Sequence, residues 1–305
     1  MRPLFVDCPP FLKELHDESL SGIVPDLEIN IGDPVGKELI ELCRGRGYLM
    51  NDHSKFDAEV LKALAPTLKS IVFLGTGSAS YIDLPAAAEL GITVRNYKGY
   101  GDRSVAEHAF ALMLAAAHRV VEMDAAVRAG KFEPVNSIEL LGKTVGVIGT
   151  GGIGEQMIRM CAGIGMKVVA WNRSGVPAGL PCEAVELDDL LRRSDVVSLH
   201  LVLNDGTRGF FDRRKIGLMK PTAIFVNTSR GAVVDEPALI DALRDGQIGH
   251  AALDVFVEEP LPANHRLRSM PNTTITPHAA FMTREASTNL VRIALELMIE
   301  ERTKG

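Results

Sequence analysis

KTVGVIGTGGIG, residues 143–154, decides how this chain is read. A short apolar run of the kind buried in a parallel sheet passes directly into Gly149-x-Gly151-x-x-Gly154 and then into a helix-period segment. That context is what a glycine-rich phosphate loop requires. Gly149 permits the tight turn, Gly151 lets backbone approach a pyrophosphate, and Gly154 lets helix and strand pack closely. The helix N-terminus then offers free amides and the positive end of its dipole to the phosphates. The plainer reading is an ordinary glycine-rich strand–helix turn; the flanking strand and helix favour a dinucleotide.

Working outward, the strand–helix rhythm after Gly142 continues through KVVAW, DVVSLHL, TAIFVNTS, HAALDVF and TTITPH. With KTVGVIG that makes six strands, enough for a complete doubly wound sheet. Upstream, LFVD (4–7), GYLMN (47–51), SIVFLG (70–75) and ITVRN (92–96) read as strands. Phe56–Leu64 and Leu84–Leu90 read as helices, the latter closed by Gly91 as a C-terminal cap. The fold class is therefore α/β, with two doubly wound parallel-sheet domains. A helix is expected from Ser104, with Ser104 and Glu107 as a capping box. It is apolar nearly all round, so it is either a core helix or one shared between subunits. The last helix, Glu285–Ile299, has no domain of its own and must pack on something earlier in the chain.

The 305 residues suffice for two cores. Hydrophobic residues make up 46% and charged residues 24%, an ordinary soluble composition, and the net charge of -6 argues against nucleic-acid binding by bulk charge. Cys8, Cys43, Cys161 and Cys182 form no CxxC pair, so neither a disulfide framework nor a metal site is expected. The opening MRPLFVDCPP lacks a signal peptide's long apolar run, and Ala109–Ala117 is too short to span a membrane. A cytoplasmic location without membrane attachment is the expectation.

VVAWNRSG, residues 168–175, ends a strand in a polar tip. Asn172 lies 18 positions after Gly154, near the offset of about 20 at which an acid would grip an adenosine ribose. An amide there removes the repulsion of a 2′-phosphate; Arg173 offers a planar fork and Ser174 a hydroxyl. NADP is therefore favoured over NAD, the alternative being a solvated Arg173 with NAD bound through Asn172.

Three later segments place polar residues at strand ends: NTSRGAVVDEPAL with Arg230, LDVFVEEPL with Asp254 and Glu259, and ITPHAAF with His278. Singly, each has a plain structural reading as a turn or loop residue. Together with the glycine loop, VNTSRGAVVDEPALIDAL (226–243), ALDVFVEEP (252–260), TPHAA (276–280), RSVAEHAFALML (103–114) and YIDLPAAAELGITV (81–94), they resemble the D-isomer-specific 2-hydroxyacid dehydrogenases over nearly the whole chain.

That resemblance implies a discontinuous, flavodoxin-like substrate domain, 1–99 and 282–305, with a Rossmann dinucleotide-binding domain, 100–281, inserted into it. It also implies a homodimer formed largely by the dinucleotide-binding domain. Arg230 would clamp a substrate carboxylate, and His278 would act as acid/base with Glu259 favouring its imidazolium and fixing its tautomer. Asp254 would lie near the nicotinamide carboxamide, Thr228 and Ser229 would flank the cofactor, and Gly152 and Ile153 would lie under the pyrophosphate. Gly75, Thr76 and Gly77 correspond to the glycine turn that holds the substrate carboxylate, here one residue longer than the common form. His53-Ser54 stands where phosphoglycerate-specific relatives tend to carry Arg-Ser, which makes His53 a substrate-loop candidate. His200 and His108 read as structural, and Asp235 as a helix cap. The leading expectation is an NADPH-favouring reductase of a small 2-oxo acid, such as glyoxylate or hydroxypyruvate. The alternatives are a phosphoglycerate dehydrogenase, and a dinucleotide-sensing binding module with little turnover.

Overall fold

A computed structural model describes residues 2–304. The chain divides into two compact units, one running up to Gly101 and resuming at Thr283, the other Asp102–Met282.

The first unit is built on a five-stranded parallel sheet in the order β2-β1-β3-β4-β5, the flavodoxin-like order. Its strands are β1 (Leu4–Phe5), β2 (Glu28–Ile29), β3 (Tyr48–Asn51), β4 (Ser70–Phe73) and β5 (Thr93–Arg95). The β1, β3 and β4 residues are buried throughout, which suits strands covered on both faces. The helix expected from Phe56 begins at Ala58, where the Asp57 carboxylate accepts from the Val60 amide. The final helix, Arg284–Lys304, belongs here. Leu290, Val291, Ala294, Leu295 and Met298 repeat at helical spacing and join a core with Phe5, Leu12, Met50 and Val72. Arg302 grips Asp26 through both terminal nitrogens, at 2.7 and 2.8 Å.

The second unit holds a seven-stranded parallel sheet in the order β12-β11-β10-β9-β6-β7-β8. The strands are β6 (Thr144–Ile148), β7 (Lys167–Trp171), β8 (Glu183–Ala184), β9 (Val196–Leu199), β10 (Ile224–Asn227), β11 (His250–Leu253) and β12 (Thr273–Ile275). The winding reverses at β6, between β7 and β9, and ligands bind beyond the strand ends at such a switch point. The helix Asp102–Ala117 buries Ala109, Leu112, Met113, Ala116 and Ala117 in a core shared with Val147, Met157 and Val226, as the core-helix reading expects. It starts two residues before the cap expected at Ser104, and Glu107 is taken by Arg103 instead, so the capping-box reading is corrected. On the other face, Phe211 and Phe225 stack 4.7 Å apart above Leu199 and Leu253.

All four cysteines are free, and burial pushes the Cys8, Cys43 and Cys161 thiols up to about 12. Among the described residues no group of His, Cys, Asp or Glu is arranged to hold a metal, and no helix is long and apolar enough to cross a membrane.

Candidate active site

β6 delivers the chain to Gly149, whose φ of 92° lies in the left-handed region that side chains disfavour. A Cβ at Gly149 would sit 2.3 Å from the His200 carbonyl oxygen, and one at Gly154 would sit 1.9 Å from the Gly149 carbonyl oxygen. Backbone therefore meets backbone at both positions. Gly151 faces open space and carries no side-chain cap for the helix Gly152–Gly163 that follows it. The first-turn amides around Gly152 and Ile153 are thus left for another acceptor. Three buried polar atoms lack a partner among the described residues at the ends of β6, β9 and β10: Thr150 Oγ1, His200 Nδ1 and Thr228 Oγ1. Buried polar atoms are nearly always satisfied, so this set fits a polar cofactor laid over the strand ends. Burial pushes the His200 imidazole down to about 4, and its other nitrogen, Nε2, meets Ser198 Oγ at 2.8 Å.

At the tip of β7, the Asn172 side chain donates to Ser174 Oγ (2.9 Å) and to the Gly175 carbonyl (3.0 Å). Because Ser174 Oγ accepts that bond, its own O–H remains free to donate. Arg173 is exposed, forms no ion pair among the described residues, and points Nη1 toward Gly206 in the loop after β9. A cation and a hydroxyl donor therefore stand beside a turn that Asn172 holds in shape.

The Arg230, Glu259 and His278 segments are brought together by backbone. Asn227, at the end of β10, shapes the turn: its Oδ1 accepts from the amide and hydroxyl of Ser229 at 2.9 and 2.7 Å, and its Nδ2 donates to the Arg230 carbonyl at 3.2 Å. The next residue, Gly231, lies so close to the following loop that a Cβ would fall 2.0 Å from the Phe256 carbonyl carbon. In that loop, Glu259 Oε1 accepts from the Phe256 amide (2.8 Å) and Oε2 meets His278 Nδ1 at 2.6 Å. Partial burial works against the Glu259 charge, but the His278 bond, the Phe256 amide and the charge on Arg230 outweigh it and hold the carboxyl below its usual range. One Arg230 nitrogen, Nη1, donates to the Ser229 carbonyl at 2.7 Å. A cavity of about 640 Å³ flanks the pair, lined by Phe256, Glu259, Leu261, Ile275, Pro277 and His278.

Asp254 lies beneath this pair, fully buried. It accepts from Thr276 Oγ1 (2.5 Å) and from the amides of Ala279 and Ala280 (both 3.0 Å), while its carbonyl accepts the His278 amide at 2.8 Å. These bonds hold His278 at a left-handed φ of 53°. Since the Thr276 hydroxyl donates to Asp254, it accepts from His108 Nε2 at 3.0 Å. His108 is thus part of the support under His278.

In the first unit, the amides of Gly75, Thr76 and Gly77 donate to no acceptor among the described residues, and the Thr76 carbonyl accepts from Asn96 Nδ2 at 3.4 Å. His53 has neither ring nitrogen to spare: Nε2 meets Asp33 at 2.6 Å and Nδ1 meets Asp52 at 3.2 Å. Burial opposes its charge, but Asp33, Asp52 and Asp7 outweigh that and lift the imidazole above its ordinary value. His53 is therefore tied to acids of its own chain, rather than standing as a free hydrogen-bonding group.

Sequence reading missed Asp102, whose carboxylate occupies the space a Gly152 side chain would need, and the Glu236–His265 pair, 3.1 Å apart. Neither carries a motif of its own. The sole hint at Glu236 is its place after the Asp235 cap, which accepts from the Ala238 amide at 3.0 Å.

Residues 110–280 match the family model of the D-isomer specific 2-hydroxyacid dehydrogenase NAD binding domain. The chain is 41% identical over 257 residues to a glyoxylate reductase of Aeropyrum pernix, covering 80% of this chain and 76% of that one. It is 38% identical over 291 residues to a hydroxypyruvate reductase of Thermotoga maritima, covering 94% and 87%. A solved structure from Thermus thermophilus superposes with a TM-score of 0.87 at 33% identity, over 100% of this chain and 97% of that one. The chain belongs to the D-isomer-specific 2-hydroxyacid dehydrogenases, a family of NAD(P)-dependent oxidoreductases.

Proposed function

We propose that this protein reduces a small, unphosphorylated 2-oxo acid, glyoxylate or hydroxypyruvate, to the D-2-hydroxy acid with NADPH as the favoured reductant. The observation that carries the proposal is the 2.6 Å contact between His278 Nδ1 and Glu259 Oε2, with Arg230 close enough to depress the Glu259 carboxyl.

The chemistry follows from these side chains. Arg230 has guanidinium donors beyond the one spent on Ser229, and these suit a carboxylate fork. Because Glu259 holds His278 through Nδ1, Nε2 is the nitrogen left to meet the reacting carbonyl. His278 as imidazolium gives the Nε2 proton to the carbonyl oxygen, and the neutral ring keeps Nδ1–H on Glu259. The reduced nicotinamide ring, when bound, supplies the hydride to the same carbonyl carbon. In the oxidative direction His278 takes the hydroxyl proton back.

NADPH is favoured by the tip of β7. Arg173 offers an exposed cation unclaimed by any acid among the described residues, and Ser174 offers a free O–H. Thr150, Thr228 and His200 supply polar atoms for the rest of the cofactor. The amides of Gly75, Thr76 and Gly77 form a donor-rich turn suited to a carboxylate. The Aeropyrum and Thermotoga relatives support the choice of oxo acids. A homodimer is part of the same reading. Helix Val120–Arg128 buries none of its residues, and Phe132 beyond it is 92% exposed, which a second copy of the chain would cover.

Steady-state kinetics with NADPH and NADH against glyoxylate, hydroxypyruvate, pyruvate and phosphohydroxypyruvate test the proposal. Higher kcat/KM for NADPH with the first two acids supports it. Preference for phosphohydroxypyruvate, or no turnover with any of the four, refutes it.

A further inference from the structure

We infer that Glu236 and His265 are positioning residues that hold the loop carrying Glu259 in register with His278. The inference rests on the Glu259–His278 reading above and adds what fixes Glu259 in place.

The loop leaving β11 has few anchors of its own, since Val257, Glu258, Glu259 and Pro260 are all exposed. Glu236 stands at the first position of the helix Glu236–Arg244, where the dipole favours a carboxylate. Its Oε2 accepts from the Val257 amide at 3.3 Å, one residue from the Phe256 amide that Glu259 itself accepts. Its Oε1 meets His265 Nε2 at 3.1 Å. The His265 tautomer follows from its other nitrogen: Nδ1 accepts from the Leu267 amide at 3.4 Å, so Nε2 carries the proton and donates to Glu236. At the far end of the loop, Arg268 donates to the Leu261 and Pro262 carbonyls at 2.6 and 2.9 Å. Both Glu236 and His265 are largely buried, with side chains 15% and 19% exposed. Glu236 thus ties the start of the loop to its return through one carboxylate. Without it, Glu259 would still bond Phe256, but the segment bearing both would be free to drift from His278.

The test is steady-state kinetics of Glu236→Ala and Glu236→Gln in the full chain with NADPH and glyoxylate, with melting temperatures alongside. Glutamine keeps one oxygen for the Val257 amide but turns its NH2 toward His265 Nε2–H, so one of the two ties survives. Glu236→Ala is expected to lower kcat by about 10-fold, with the KM for NADPH within about 2-fold of wild type. Removal of a transition-state interaction lowers kcat in this way while leaving cofactor binding alone. Glu236→Gln is expected to recover kcat to within about 3-fold of wild type. His265→Gln, lacking the ring that bridges Glu236 and Leu267, provides an independent arm if Glu236→Ala does not fold, with kcat expected to fall about 3- to 10-fold. Wild-type kcat in Glu236→Ala, or in His265→Gln where Glu236→Ala does not fold, overturns the inference. So does a loss that Glu236→Gln fails to rescue and that follows melting temperature. His278→Ala is the control: if it turns over normally, the catalytic reading itself has failed, whereas its collapse beside unaffected Glu236 and His265 variants sinks only the positioning role.

Discussion

Gly231→Ala tests whether the Arg230 strand end and the Glu259 loop must touch through bare backbone. Gly231 does not have a left-handed φ, so alanine can adopt its backbone without conformational penalty. The cost is steric. The added carbon would lie 2.0 Å from the Phe256 carbonyl carbon, 2.1 Å from its oxygen and 2.4 Å from the Val257 nitrogen. Carbon atoms in contact ordinarily stand about 3.5 Å apart, so one segment must retreat by roughly 1.5 Å. Both sides are backbone, and no flexible side chain can absorb the shift. Overpacking of this kind costs about 1–3 kcal/mol, which lowers Tm by roughly 2–12 °C for a unit of this size. Arg230 and Glu259 would separate with the two segments. A misplacement of about 1 Å in a catalytic group costs about 10²-fold, or about 2.7 kcal/mol of transition-state stabilisation. The assay is kcat/KM for glyoxylate with NADPH, with the KM for NADPH and Tm measured on the same preparation. The expected result is a loss of about 10²-fold in kcat/KM with the NADPH KM nearly unchanged. A kcat/KM within about 3-fold of wild type would show that the close approach does not set the catalytic geometry, and the reasoning would be wrong.

Other outcomes follow from the same geometry. Arg173→Ala should raise the KM for NADPH by at least about 10-fold while leaving NADH nearly unaffected; equal effects on both cofactors would remove the phosphate role. His278→Ala should lower kcat by about 10²-fold or more, and near-normal turnover would require a different proton donor. Stability should be lost as pH is lowered, through His200. Its folded value is about 4, whereas an unfolded histidine titrates near ~6.5. Between these values the unfolded chain binds a proton that the folded chain refuses, so urea midpoints should drop from pH 7.5 to pH 5. His200→Asn should flatten that slope, and an unchanged slope would exclude His200 as a source. Val121→Asp combined with Phe132→Asp should convert a dimer to monomer in light scattering; an unaltered mass would place the interface elsewhere.

The strands that position the site were legible because they are long, apolar and followed by polar ends. The runs at Thr144–Ile148, Ile224–Asn227 and His250–Leu253 all lie within the segments read from sequence. β2 and β8 escaped notice because each has two residues and neither is buried, so they show no periodicity. The Ser104–Glu107 spacing misled because serine and glutamate three apart also fit inside a helix, and nothing in the spacing reveals that Asp102 begins it. The contact between Glu259 and His278 was anticipated through paired motifs, but its supports were not. Glu236, Val257 and His265 meet only after the chain has folded. The expectation for His53 took no account of Asp33, 20 residues away, which occupies its Nε2.

The most direct test of the central claim is a double-mutant cycle joining Glu259→Gln and His278→Asn, read as kcat/KM for glyoxylate with NADPH. Groups that work as one unit are strongly non-additive. The double variant should therefore be no slower than His278→Asn alone, within about 2-fold. If the two losses instead multiply, the carboxylate and the imidazole act independently, and the account of this site is contradicted.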